Sequence, residues 1–174
     1  MAHTITVNVG GIPGDSVGVD PDPKQTIGKV KVHAGEIDAT SWSWGVAQTS
    51  KASAGGSTST PDVSDLTIIK FVDSSTPKLF SACHSATQLV GADKPVDGKP
   101  VGVVVTLFRN DNGKNLAYMT IKLCGKVIVS SVTTGDAGAD DRYTEIVTFN
   151  FTQAVIGYQK TFDGPVAETP LNIA

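Results

Sequence analysis

The stretch "VGVVVTLFRNDNGKNLAYMTIKLC" (101–124) constrains this chain most. Two β-prone runs, 101–109 and 116–124, flank "NDNGKN", which is turn-forming by composition. Gly113 is free to take the positive φ that a tight hairpin needs. Met119, Ile121 and Leu123 alternate toward one side, as in a half-buried strand. A chain built around such a hairpin needs further strands to cover its apolar face.

Those strands are easily found. His3, Ile5, Val7 and Val9 alternate with Thr4, Thr6 and Asn8, which predicts a half-buried first strand. "GGIPGDSVGVDPDPKQ" then supplies turns, and Pro21 and Pro23 exclude helix and central strand there. A second extended region is expected over about 28–46. Strict alternation groups Trp42, Trp44 and Val46 with Asp38 and Thr40, opposite Ile37, Ala39, Ser41, Ser43 and Gly45. "VSDLTIIKFVD" (63–73) is apolar on both faces, with Leu66 and Ile68 on one and Ile69 and Phe71 on the other, so it belongs near the sheet centre. "KVIVSSVTT" (126–134) follows Gly125, a predicted bulge or bend. Residues 135–141 read as a polar loop. Residues 142–159 read as a long strand or a bent pair, with Val147, Phe149 and Phe151 on one face, and the tail offers at most one short strand.

One segment follows the helical period. In "SSTPKLFSACHSATQ", Thr76 is the expected N-cap and Pro77 the first helical residue. Leu79, Ala82, Cys83 and Ala86 then form one apolar face. The expectation is a mainly β, two-sheet barrel or sandwich of about eight strands, with one short helix (about 76–87) and a long extended loop (about 47–62). A single domain over 1–174 accommodates all of it.

Several function classes find no support. The net charge is −3, and the lysines are scattered singly, whereas nucleic-acid binders gather basic stripes. The longest apolar run, 101–108, is far shorter than the roughly 20 residues of a spanning helix. The amino terminus alternates without a basic or apolar leader, so synthesis in the cytoplasm without a signal peptide is expected. His3, His33 and His84 share no ligand spacing, and no CxxC or HxxxH is present, so no metal or other cofactor is expected. Neighbouring Cys83 and His84 do not face each other on a helix. The paired acids in "DPDP" (20–23) and "DD" (140–141) lack calcium-loop spacing. The serine-nucleophile elbow and the phosphate loop are also missing. "NFT" (150–152) falls within a strand, where it reads as structure and not as a glycan acceptor. Cys83 and Cys124 read as small buried hydrophobes.

One positive hint remains. Trp42 and Trp44 stand directly before a soft Ser/Ala/Gly segment. Loops longer than about 12–15 residues in a small domain tend to be functional. The candidate assembly loop is therefore Gln48, Thr49, Ser50, Lys51, Ala52, Ser53, Ala54, Gly55, Gly56, Ser57 and Thr58, with Trp42 and Trp44 as its anchor.

Taken in order, "GIPGDS" (11–16), "SWSWG" (41–45), "LTIIKFVDSSTPKLFSAC" (66–83), "YMTIKLCGKVIVSSVTTG" (118–135) and "DRYTEIVTFNFTQAVIGYQ" (141–159) resemble the haemolysin-coregulated protein family. That family forms the tube of bacterial type VI secretion. The resemblance implies a two-sheet barrel with one helix, homo-hexameric rings, and stacking of rings into an inner tube. It implies a spike or tip protein, a contractile sheath and effector cargo as partners, secretion to the extracellular space or a target cell, and no catalytic site. Neither nucleic acid nor membrane insertion is implied. Three features depart from the family pattern. Segments 17–35 and 89–100 are longer, and Leu171 stands where many relatives carry tryptophan. A monomeric β-sandwich binding module is the alternative, and an enzyme on a β-barrel scaffold would need convergent polar residues.

Overall fold

Where alternation is strict, the chain is strand. The computed structural model describes residues 4–20, 32–48, 61–137, 142–161 and 164–173. Among them the strands are β1 (Ile5–Val9), β2 (Val17–Val19), β3 (Val32–Ala34), β4 (Ile37–Ser43), β5 (Val46–Ala47), β6 (Asp62–Val63), β7 (Leu66–Phe71), β8 (Asp93–Val96), β9 (Lys99–Asp111), β10 (Lys114–Cys124), β11 (Ile128–Ala137), β12 (Tyr143–Asn150), β13 (Gln153–Gln159) and β14 (Val166–Asn172). The helix α1 is Thr76–His84. The excess over eight strands comes from the short ribbons β2–β3 and β5–β6, from β8, and from the division of 142–159 into β12 and β13.

The main sheet runs β11-β12-β7-β4-β1-β9-β10-β13-β14, with β8 beside β9. β12 and β13 lie near opposite ends of this order, yet only Phe151 and Thr152 join them. So short a link forces the sheet to fold over into two layers. Between the layers lies one core that includes Val7, Ile37, Leu66, Ile68, Val105, Ile121, Leu123, Val147 and Phe149, all fully buried. Leu79 and Ala82 of α1 join the same core, so the helix closes one side.

The 101–124 hairpin forms as read, with Asn112 at φ 51° and Gly113 at φ 83° supplying its two left-handed residues. Three local expectations are corrected. Thr6 is as fully buried as Val7. β1 lies mid-sheet, and Asn8 on the same side as Thr6 donates to the Ala92 carbonyl at 2.9 Å, so the segment before β8 covers that face. The N-cap is Ser75, not Thr76, and Pro77 is the second helical residue. The Thr76 hydroxyl instead donates to Glu145 Oε2 at 2.5 Å and accepts from the Asp73 N–H. The helix also stops at His84, short of 87.

The third correction concerns the tryptophans. β4 pairs with β7 through Ala39↔Lys70, then Ser41↔Ile69, which leaves Thr40 as an extra residue. This bulge reverses the alternation. Ile37 and Ala39 point into the core before it, and Trp42 and Trp44 pack against the core after it. The tryptophans therefore share the side of Ile37, not that of Asp38.

Candidate functional site

Trp44 meets Phe151 edge-on, with ring centroids 5.8 Å apart and planes at 65°. Phe151 is the buried residue of the β12–β13 corner, so Trp44 is fastened where the two layers join, and Trp42 packs against the same core. Immediately beyond it, Gly45 N–H donates to Ser64 Oγ at 3.0 Å and Ser64 N–H returns to the Gly45 carbonyl. β5 and β6 then pair through Val46↔Val63 and Ala47↔Asp62. The segment that carries the candidate assembly residues is thus flanked by a short antiparallel ribbon. Gln48 is exposed at its end, while Thr49 to Thr58 lie outside the described residues.

The same strands carry a distinctive outer face. Ser41 and Ser43 on β4, Thr67, Ile69 and Phe71 on β7, and Thr144, Ile146 and Thr148 on β12 all point away from the core. Register sets Ile69 opposite Ile146, Phe71 opposite Thr144 and Thr67 opposite Thr148. The Thr67 and Thr148 hydroxyls lie 3.3 Å apart. None of these eight side chains is charged. Arg142 bounds the face, with its guanidinium carbon 3.9 Å from the centroid of the Phe71 ring.

The outer face of the opposite layer differs. Lys122 on β10 bonds Asp93 at 3.1 Å and approaches Glu168 at 3.7 Å. Burial pushes the Asp93 carboxyl up, but hydrogen bonds from the Lys94 N–H and Lys122 outweigh it and leave the group below its usual range. A groove of about 320 Å³ runs past these residues, Thr106, Tyr118 and Thr120.

Inside the barrel lies a group that goes unremarked in the sequence. Lys70 and Glu145 are fully buried and stand opposite each other in the β7–β12 register. The ammonium donates to Glu145 Oε2, to Asp73 and to the Phe71 carbonyl, each at 2.8 Å. A signal for this pair exists. The alternation that buries Leu66 and Ile68 also buries residue 70, and that which buries Val147 and Phe149 also buries 145.

The remaining sequence candidates do not converge. Among the described residues no group of three or more His, Cys, Asp or Glu is placed to hold a metal ion. His33 pairs with Glu36 at 2.9 Å, while His84 ends α1. Cys83 and Cys124 are free, and burial pushes the Cys124 thiol up. Asn150 donates to Asp65 at 2.8 Å. No helix among the described residues is long and apolar enough to cross a membrane. His3, Asp22, Asp140 and Asp141 lie outside the described residues.

Comparison with known proteins agrees with this architecture. The family model described as "Type VI secretion system effector, Hcp" matches residues 27–158. Protein hcp1 of Pseudomonas aeruginosa is 35% identical over 161 residues, covering 91% of this chain and 85% of that protein. The fold is similar to that of Hcp1 from Salmonella typhimurium, with a TM-score of 0.68 at 23% identity, over 99% of this chain and 96% of that one. A type VI secretion system effector from Yersinia pestis gives a TM-score of 0.64 at 23% identity, over 97% and 98% of the two chains.

Proposed function

This chain belongs to the Hcp family of the type VI secretion system, and from that premise we propose how its surfaces build a tube. The family supplies the structural tube subunit of the machine and is not a family of enzymes, so this chain is a structural subunit that assembles into rings and a tube. Proteins of the family are secreted by the type VI system. On our reading the whole chain acts as one domain, six copies close each ring, and the part of the β4, β7 and β12 face formed by those eight uncharged residues, with Asp38 at its β4 end, lines the lumen.

The observation that carries the lumen assignment is the chemistry of that face. A conduit must let varied cargo pass without holding it. Eight neighbouring side chains without a charge, five of them serine or threonine, present hydrogen-bonding groups but no fixed charge to grip one sign of protein surface. The opposite layer, with Lys122, Asp93 and Glu168, suits specific contacts better. The segment 48–58 acts as an arm to a neighbouring subunit, its root held by Trp42, Trp44 and the β5–β6 ribbon. Effector cargo occupies the lumen, a spike or tip protein caps the tube, and a contractile sheath surrounds it. Synthesis is cytoplasmic, and the tube delivers the subunit outside the cell or into a target cell.

Native mass spectrometry or negative-stain microscopy tests the assembly, and six-subunit rings are expected. A clean monomer at micromolar concentration would return the monomeric binding module to first place. For the lumen, Thr148→Cys and Thr120→Cys variants in a Cys83→Ala background separate the faces. A bulky maleimide should label Thr148→Cys slowly in stacked tubes and quickly in free subunits. Equal rates in both states would remove this face from the lumen. Shortening 50–58 should weaken ring closure or stacking and leave the subunit folded.

A further inference from the structure

Two hairpins of this chain turn on the same pair of backbone conformations. In the β9–β10 turn Asn112 and Gly113 sit at φ 51° and 83°, between the paired Asp111 and Lys114. In the β8–β9 turn Asp97 and Gly98 sit at φ 49° and 74°, between the paired Val96 and Lys99. A two-residue loop with both residues left-handed favours Asn-Gly or Asp-Gly, so each sequence suits its turn. The first central residue differs only in its side-chain group, an amide at 112 and a carboxyl at 97.

That amide has an unusual neighbour. A backbone nitrogen can attack the side-chain carbonyl carbon of a preceding asparagine, and a glycine nitrogen is the least hindered because no Cβ stands beside it. The chain has six asparagines, and Asn112 alone precedes glycine; the others precede Val9, Asp111, Leu116, Phe151 and Ile173. Asn112 is exposed, so water reaches it. By contrast, the Asn8, Asn115 and Asn150 amides are bonded to the Ala92 carbonyl, the Asp20 carbonyl and Asp65.

The turn also carries a restraint. Gly113 N–H donates to Asn110 Oδ1 at 3.0 Å. To attack, this nitrogen must lose its proton and its peptide plane must swing toward Asn112 Cγ, and both events break that bond. The 97–98 turn has Pro95 in the corresponding place, which offers no side-chain acceptor.

We infer that Asn112 is a site of spontaneous deamidation and that the Asn110 side chain sets its pace. Gly113 N, its proton given to solvent, bonds to Asn112 Cγ, and the side-chain nitrogen leaves as ammonia. Water then opens the resulting succinimide ring. Opening at Cγ restores the main chain with an aspartyl side chain, which the 97–98 turn already accommodates in the same conformation. Opening at the Asn112 main-chain carbonyl carbon leaves the chain running through Cγ, one methylene longer. Loop length fixes hairpin register, so this isoaspartyl form parts Asp111 from Lys114. Either product adds a negative charge beside Asp111, and the second also frays the end of the β9–β10 hairpin.

Incubation of the full chain in mildly alkaline buffer tests this, read by peptide mass mapping and by enzymatic methylation of isoaspartate. Asn112 should pass from amide to acid ahead of the other five asparagines, with isoaspartate in the same peptide. Asn110→Ala should speed the conversion about tenfold, as when a hydrogen bond no longer limits local opening. Asn110→Asp keeps an acceptor oxygen and should stay near the native rate. Isomerisation at Asp97, which lacks the restraint, should be equal in all three proteins. In unfolding urea the native chain and Asn110→Ala should convert equally fast. Conversion at Asn112 no faster than at Asn115 or Asn150, an unchanged rate in Asn110→Ala, equal acceleration at Asp97, or a difference that persists in urea would overturn the inference.

Discussion

Two lysine–carboxylate pairs tie strands of this molecule together, one on each side of its folded sheet. Lys70 and Glu145 have no exposed side-chain surface, whereas Lys122 and Asp93 retain 22% and 39%. Both pairs are close, at 2.8 and 3.1 Å. The difference lies in what replaces water. The inner ammonium has three oxygens at 2.8 Å, and the carboxylate also receives the Thr76 hydroxyl. Glu145 Oε1 nevertheless has no partner among the described residues. The outer pair keeps solvent, so its charges are screened and its geometry is soft. Similar distances thus conceal unlike energetics.

Urea unfolding at fixed protomer concentration should expose this contrast, since assembly makes apparent stability depend on concentration. Glu145→Ala strands a buried ammonium and should cost about 3–5 kcal/mol. Lys70→Ala should cost a similar amount. Thr76→Val removes one hydrogen bond to the buried carboxylate and should cost about 1.5–3 kcal/mol. Joint replacement by Lys70→Met and Glu145→Leu should cost far less than either single change, or even stabilise, because no charge is then left alone. A double variant as unstable as the singles added together would show that the pair acts independently of its partner. Lys122→Ala on the outer side should cost under about 1 kcal/mol, and less still in high salt.

The smallest effect is that of pH on the outer pair. The Asp93 carboxyl is below its ordinary value, so its contribution is complete above about 3.9 and disappears as pH falls through the lower folded value. Lys122 resists the downward push of burial because Asp93 and Glu168 hold its proton, and its pKa is raised. Its contribution is complete below about 10.4 and disappears as pH rises through the higher folded value. Chemical shifts of the Lys94 amide should therefore be flat between these limits and move outside them. A midpoint near neutrality would sink the assignment.

Much of the strand pattern was legible because it is local. Leu66 and Ile68, or Ile121 and Leu123, need only the alternation of a pleated strand to declare their side. The Trp42 and Trp44 side was not, because one extra residue at Thr40 inverts the pattern, and only pairing with β7 reveals the extra residue. The Thr76 hydroxyl reads as a helix cap in sequence because its competitor, Glu145, is 69 positions away. Of the candidate site, the adjacency of Trp42 and Trp44 to the segment 48–58 is legible in composition and neighbourhood, while the outer faces and the inner pair depend on strand register. Register between distant strands is set by the whole core, so a single sequence holds it only implicitly.

β1 has a consequence for how the chain is made. Its partners are Ile37–Ala39 on one side and Val103–Leu107 on the other. Translation at about 5–20 residues per second separates Ile5–Val9 from their second partner by roughly 5–20 s. Throughout that interval what will be the middle of the sheet is a bare edge on a nascent chain. The growing polypeptide is most exposed to mispairing with its neighbours on a polysome before Leu107 leaves the ribosome, and a chaperone that shields strand edges has its opportunity there.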